Sequence, residues 1–154
     1  MKKALIFDFD GVIVDSDTFH YNSWKHILKE YFKVNFLFSD YLQIKGVGRQ
    51  MALNKLLELY SINIPNNELK NEILFKKNEI FLKLINDITK DSLIPGVEQF
   101  ILKYKPFYKI GLASASKNAR LIINKLEING LFDVIIDANE TKNKKPDPEV
   151  FFLC

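Results

Sequence analysis

The sequence predicts an α/β protein: a Rossmann-like parallel-sheet core of about three strands, interrupted by an inserted helical cap. Three observations predict it. Apolar runs bounded by turn residues stand at 4–9, 108–113 and 132–136 and read as buried strands. Between the first and second runs, apolar residues recur only at helical spacing. After residue 90, helix and strand patterns alternate, which calls for a parallel sheet with crossover helices. The core is therefore assigned to 1–14 and 91–154, and the cap to 15–90.

The elements follow in order. The run Ala4-Leu5-Ile6-Phe7-Asp8-Phe9 is closed by Asp10-Gly11, and Asp15-Ser16-Asp17 offers N-cap candidates for a helix carrying Trp24, Ile27, Leu28 and Tyr31. Lys45-Gly46-Val47-Gly48-Arg49 is a glycine-punctuated loop, and Leu53, Leu56, Leu57 and Tyr60 form a second helical stripe. Pro65-Asn66-Asn67 opens a third helix with Leu69, Ile73, Ile80 and Leu84 on one face. Pro95-Gly96 is a turn, and Val97, Phe100, Ile101 and Tyr104 mark a short helix. Tyr108 to Ala113 is the second strand, ending at Ser114-Ala115-Ser116. A helix over 117–127 stops near Asn129-Gly130, and Phe132 to Ile136 is the third strand. Lys144-Lys145-Pro146-Asp147-Pro148 is a loop, because each proline disfavours helix for the residue before it.

Composition narrows the function. The 154 residues carry 22 Lys+Arg against 19 Asp+Glu, a net charge of +3, with 47% apolar residues. That is a globular profile, and the charge is too small and dispersed for a nucleic-acid partner. No apolar run approaches the ~20 residues that span a bilayer, so no membrane role is expected. The start, Met1 to Phe7, imitates a secretory signal until Asp8 and Asp10 interrupt it, so a cytoplasmic protein is expected. Asn139-Glu140-Thr141 is then a chance glycosylation sequon. The single cysteine, Cys154, excludes an internal disulfide and a cysteine-cluster metal site.

In open parallel sheets, ligands sit at the carboxyl ends of the strands. Three polar features fall there: Asp8-Phe9-Asp10, Ser114-Ala115-Ser116, and the loop holding Lys145. Two nearby carboxylates suit Mg²⁺, a hard ion with oxygen ligands, and also suit a nucleophile beside a general acid/base. A carboxylate attacking phosphorus gives an aspartyl-phosphate, whose developing charge needs cations and hydrogen-bond donors. Ser114, the amide of Ala115 and Lys145 would supply them. Each piece alone has a plainer explanation: a surface acidic pair, a strand-end turn, a solvated lysine. Their order, each at the end of a core strand, makes the combination specific.

Asp8-Phe9-Asp10-Gly11-Val12, Leu112 to Asn118 and Lys145-Pro146-Asp147-Pro148 resemble the first three motifs of the haloacid dehalogenase-like superfamily. Within it, His20, Trp24, Lys45-Gly46-Val47, Arg49 and the stretch Ala113 to Asn118 are similar to the β-phosphoglucomutase branch. The resemblance implies interconversion of β-D-glucose 1-phosphate and glucose 6-phosphate through an aspartyl-phosphate. Asp8 is then the nucleophile and a magnesium ligand. Asp10 is the general acid/base and binds magnesium through its backbone carbonyl. Ser114 and Lys145 hold the transferring phosphoryl group. Arg49, with Ser116, Lys117 and Asn118, grips the non-transferring phosphate of a glucose bisphosphate, a task suited to a guanidinium. Lys45, Gly46 and Val47 line the sugar, His20 couples cap closure to Asp10, and Lys77 aligns with a cap lysine. Trp24 would contact substrate by the same resemblance, but is most simply core filling on its helix.

The superfamily's fourth motif, an acidic cluster after a fourth strand, does not occur in these residues. The expectation is weakened magnesium binding, activity in question, and a bare apolar edge at Leu5 to Phe9 that invites self-association of a family that is otherwise monomeric. Two further readings stay open: a sugar-phosphate phosphatase using the same Asp8 and Asp10, and an inactive relative that only binds phosphosugars.

Overall fold

The structure, a computed structural model, describes residues 3–154. Met1 and Lys2, which open the segment assigned to the core, lie outside the described residues. The chain forms two compact units, one of Met1–Ser16 with Ile88–Cys154 and one of Asp17–Asp87.

The first unit is built on a parallel three-stranded sheet of β1 (Lys3–Phe7), β2 (Tyr108–Ala113) and β3 (Val134–Ile136), in that order across the sheet. Helix α5 (Val97–Tyr104) leads into β2, α6 (Ala119–Lys125) joins β2 to β3, and α7 (Glu149–Leu153) follows. Register pairs Phe7 with Leu112 and Ala113 with Ile136, so all three strands end at the same edge. The pleat puts Leu5, Phe7, Ile110 and Leu112 on one face. There the ring of Phe7 meets Phe100 of α5 edge-on, at 6.2 Å between centroids. On the other face, Ala113, Ile136 and Val150 pack with Val134 and Cys154. A Cβ at Gly111 would stand 2.5 Å from Cys154 Sγ, so a larger residue there would push the Cys154 side chain off β2. β1 lies at the sheet's edge, and its Ile6 is 42% exposed.

Three elements are shorter than their apolar runs. The first strand ends at Phe7, two residues early. The Phe9 carbonyl accepts the N–H groups of Val12, Ile13 and Val14, and Gly11 takes φ +79°, so the chain coils there instead of extending. The third strand omits Phe132 and Asp133. The Asp133 carboxylate accepts the Ile110 N–H at 2.9 Å, a side chain standing in for a ladder carbonyl. The helix read over 117–127 runs from Ala119 to Lys125 and ends where Glu127 adopts φ +56°.

The second unit holds α1 (Asp17–Phe32), α2 (Phe38–Leu42), α3 (Arg49–Leu59) and α4 (Asn67–Leu84). Its core gathers Trp24, Ile27, Leu28, Phe36, Leu53, Leu56 and Ile73. Asn66 caps α4 by accepting the Leu69 N–H at 2.9 Å. The inward line of α4 is Ile73, Lys77 and Phe81. Leu69, Ile80 and Leu84 of the expected face are half-buried, so the stripe is turned by a fraction of a helical step to take in a lysine. The five-residue α2 has no sequence periodicity to reveal it. It is fixed by Asp40, whose carboxylate accepts the Leu37 N–H and the Tyr60 hydroxyl. Burial and that carboxylate push the Tyr60 phenol up to about 12. Among the described residues, no helix is long and apolar enough to cross a membrane.

Candidate active site

Asp8 stands one residue past β1, where the extended chain gives way to the Phe9–Val14 coil. Its Oδ1 accepts two hydrogen bonds, from the Phe9 N–H at 2.8 Å and from Lys145 Nζ at 2.9 Å. Lys145 Nζ also donates to the Ala113 carbonyl at 3.0 Å, at the end of β2. The lysine side chain is 13% exposed and that of Asp8 42% exposed. Both bonds fall on Oδ1, and Oδ2 is left with neither. Hydrogen bonds between ionised partners are the strong, directional ones, so Lys145 fixes the carboxylate's rotamer while leaving one oxygen open.

The loop that delivers Lys145 is braced from both sides of its cis Lys145–Pro146 peptide. Glu149 accepts the N–H groups of Lys142 and Asn143 at 3.0 and 2.7 Å, and these amides hold its carboxyl below the usual range. Asp147 accepts the Glu149 N–H at 2.9 Å, at the start of α7. Lys144 turns the opposite way from Lys145 and donates to the carbonyls of Ala138 and Thr141. Two adjacent lysines thus do different work, and only the second reaches Asp8.

Asp10 is held by Ser16, whose hydroxyl donates to Oδ1 at 2.5 Å from a fully buried position. Ser16 reads from sequence as a helix cap, and the structure spends its hydroxyl on Asp10 instead. Helix α1 starts at Asp17, whose carboxylate accepts the Tyr41 hydroxyl at 2.8 Å and Lys45 Nζ at 2.5 Å.

After β2 the chain forms a nested turn. The Ser114 hydroxyl, 1% exposed, accepts the Ser116 N–H at 3.0 Å, and the Ser116 hydroxyl accepts the Asn118 N–H at 3.1 Å. A hydroxyl that accepts still has its own proton to donate. Ala115 and Asn118 are half-buried, and Lys117 is exposed.

In the helical unit, Lys77 Nζ lies 3.0 Å from His20 Nδ1. As an ammonium, Lys77 can only donate, and Nδ1 is then the accepting nitrogen. Lys77 is 3% exposed and sits over the rings of Phe81 and Trp24, at 4.7 and 5.4 Å from their centroids. His20 stacks on Phe81 at 4.3 Å. The buried charge is thereby met by two aromatic faces and an imidazole. Arg49, the first residue of α3, turns to α4 and donates to the Leu74 carbonyl at 3.3 Å and to Asn78 Oδ1 at 2.6 Å. Both acceptors are neutral, and burial pushes the guanidinium below its usual value. Gly46 takes φ +78° in the loop before α3, and Val47 packs against the unit's core.

The profile of the haloacid dehalogenase-like hydrolases matches residues 5–154. The chain belongs to that family. The β-phosphoglucomutase of Bacillus subtilis (strain 168) is 36% identical over 154 residues, which cover 99% of this chain and 68% of that protein. The phosphorylated carbohydrates phosphatase of Thermotoga maritima is 26% identical over 155 residues, covering 98% of this chain and 68% of its own. The crystal structure of β-phosphoglucomutase from Clostridium difficile superposes with a TM-score of 0.90 at 36% identity, over 99% of this chain and 69% of that one.

For this haloacid dehalogenase-like protein, the structure collects Asp8, Lys145 and the Ala113–Ser114 end of β2 within one unit. It collects His20, Trp24 and Lys77 within the other. Among the described residues, no group of three or more His, Cys, Asp or Glu side chains converges as a metal cage. Asp8 and Asp10 nevertheless fit Mg²⁺, which is commonly held by one or two carboxylates and takes its other places from water and phosphate oxygens. Sequence reading missed Asn78, which holds Arg49, and gave Ser16 and Asn139 other roles. The first has no motif to signal it, and the other two fit common local patterns.

Proposed function

We propose that the protein transfers phosphoryl groups on phosphorylated sugars through Asp8, in the manner of a β-phosphoglucomutase. The observation that carries this reading is the Lys145 bridge. One cation holds Asp8 Oδ1 and the end of β2 together and leaves Oδ2 outside that bond, the oxygen assigned as nucleophile. Oδ2 attacks phosphorus, and the bond from phosphorus to the sugar oxygen breaks. Asp10 gives its proton to that oxygen. In the return step Asp10 takes the proton of a sugar hydroxyl, whose oxygen attacks the aspartyl-phosphate and releases Asp8. Lys145 and the Ser114 hydroxyl neutralise the charge on the phosphoryl oxygens. Mg²⁺, when bound by Asp8 and Asp10, supplies further charge neutralisation there.

Mutase chemistry, as opposed to phosphatase chemistry, needs a grip on a second phosphate. Arg49 favours the mutase because its guanidinium is partly desolvated and hydrogen-bonded only to neutral acceptors, so its charge is available to an anion. Within the first unit, Ser116, Lys117 and Asn118 are assigned to phosphate recognition; within the second, Lys45, Gly46 and Val47 are assigned to the sugar, and His20 with Lys77 and Trp24 to a supporting cluster.

The decisive assay follows both products from β-D-glucose 1-phosphate with Mg²⁺ and a trace of glucose 1,6-bisphosphate. Glucose 6-phosphate in excess of inorganic phosphate is expected. Phosphate release without isomerisation would assign a phosphatase. Arg49→Ala is expected to weaken glucose 1,6-bisphosphate binding about 10- to 100-fold, the worth of a charged hydrogen-bond pair. Titration calorimetry against inorganic phosphate checks the specificity, since equal losses for the two ligands would remove Arg49 from the second-phosphate role.

A further inference from the structure

Asn139 lies outside the three motifs and reads from sequence only as part of a chance sequon. Its side-chain Nδ2 donates to the Lys117 carbonyl at 3.0 Å. A carbonyl only accepts, so the amide's orientation is fixed by chemistry. Asn139 is itself positioned, because its N–H donates to Asp137 Oδ1 at 2.7 Å and Asp137 is 1% exposed.

The segment after β2 is in fact tied to β3 and the β3–α7 connection at its start, at its tip and just past its end. At its start, the Ser114 N–H donates to the Ile136 carbonyl at 2.9 Å. Just past its end, Arg120 of α6 donates to Glu140 Oε1 at 2.7 Å and to the Ile135 carbonyl, and its Nε lies 3.9 Å from Asp137 Oδ2. Glu140 also accepts the Asp137 N–H at 3.2 Å, and the arginine holds its carboxyl below the usual range. Between these anchors, at the tip, stand two bonds. The Ala138 N–H reaches the Ser116 carbonyl at a long 3.5 Å, and Asn139 reaches Lys117 at 3.0 Å. The Asn139 amide is the short bond on the tip.

We propose that Asn139 is a positioning residue for phosphosugar recognition: by fixing the Lys117 carbonyl it orients the Ser116–Asn118 turn toward the non-transferring phosphate. The proposal rests on the phosphosugar reading above. It predicts a split between substrate binding and chemistry, because the bonds that fix Asp8 and Lys145 run to Phe9, to each other and to the Ala113 carbonyl, away from the tip. Arg120 and the Ser114 amide hold the two ends of the segment without it.

The experiment compares wild type with Asn139→Ala and Asn139→Asp. Asp keeps the size but, when ionised, sets an acceptor against the Lys117 carbonyl. Losing one hydrogen bond of about 1 kcal/mol should raise KM for β-D-glucose 1-phosphate about 3- to 10-fold in Asn139→Ala, with kcat within about twofold. Asn139→Asp should raise it further. Inorganic phosphate should bind both variants as it binds wild type. Amide hydrogen exchange at 115–118 should speed up in both variants while exchange in β2 is unchanged. KM at wild-type values, or kcat and phosphate binding falling together with KM, would overturn the assignment. If wild type itself binds no phosphosugar, the functional reading falls and the recognition role falls with it. The exchange data would then show separately whether Asn139 fixes the turn.

Discussion

Asp8→Asn is expected to abolish covalent phosphorylation and to lower turnover on the order of 10⁴-fold or more, the scale seen when a nucleophile is removed. Asn fills the same space, and its carbonyl can still accept the bonds that Oδ1 receives from the Phe9 N–H and Lys145. What disappears is the second oxygen, replaced by an NH₂ with no lone pair to offer phosphorus. Intact-mass measurement after incubation with a phosphodonor reads this directly. A phosphorylated mass that survives the substitution would place the nucleophile elsewhere. Stability should change little, by about 1 kcal/mol or less, because Asp8 is substantially solvated and a partly exposed ion pair contributes modestly.

Lys145→Ala should cost about 10²- to 10³-fold in kcat, comparable to removing one preorganised charge donor from a transition state. Two losses combine in it. The cation no longer faces the transferring phosphoryl group, and the Asp8 carboxylate loses the partner that fixes Oδ1 against the end of β2. The aspartyl-phosphate should still form, slowly, since the nucleophile is intact. Single-turnover labelling therefore separates the two variants: none for Asp8→Asn, delayed for Lys145→Ala. A rate within about threefold of wild type would reduce Lys145 to a structural strut.

Much of this arrangement was legible beforehand because it rests on burial. β2 stands at 108–113 as its apolar run indicates, since Ile110 and Leu112 are fully buried and Ala113 abuts β3. The run 4–9 was too generous for a reason that hydropathy cannot encode. Phe9 is fully buried, but in a coil around its own carbonyl, not in the sheet. Similarly, Lys77 breaks an apolar pattern, and the rings of Trp24 and Phe81 with His20 are among the contacts that make its burial tolerable. Residues that act through polar geometry were the hardest to see. Ser16 looks like a helix cap and serves Asp10. Asn139 looks like a sequon and bonds to a backbone carbonyl 22 positions away. Hydrogen bonds of that kind depend on which loops meet, and a single sequence carries no periodic signature of loops meeting.

The Lys145–Asp8 bond also joins residues 137 positions apart. The neighbouring β1–β2 ladder closes a span nearly as long, Phe7 to Leu112. Contacts of such separation must overcome the loop-closure entropy of the chain between them before they stabilise anything, and topologies rich in them fold slowly. The helices of Asp17–Asp87 have a core of their own and can condense locally, which shortens the effective span the strands must close. Catalytic competence is then a late property on the folding route. Helical signal can return while Asp8 still lacks its lysine, so recovered activity is the stricter measure of a native chain.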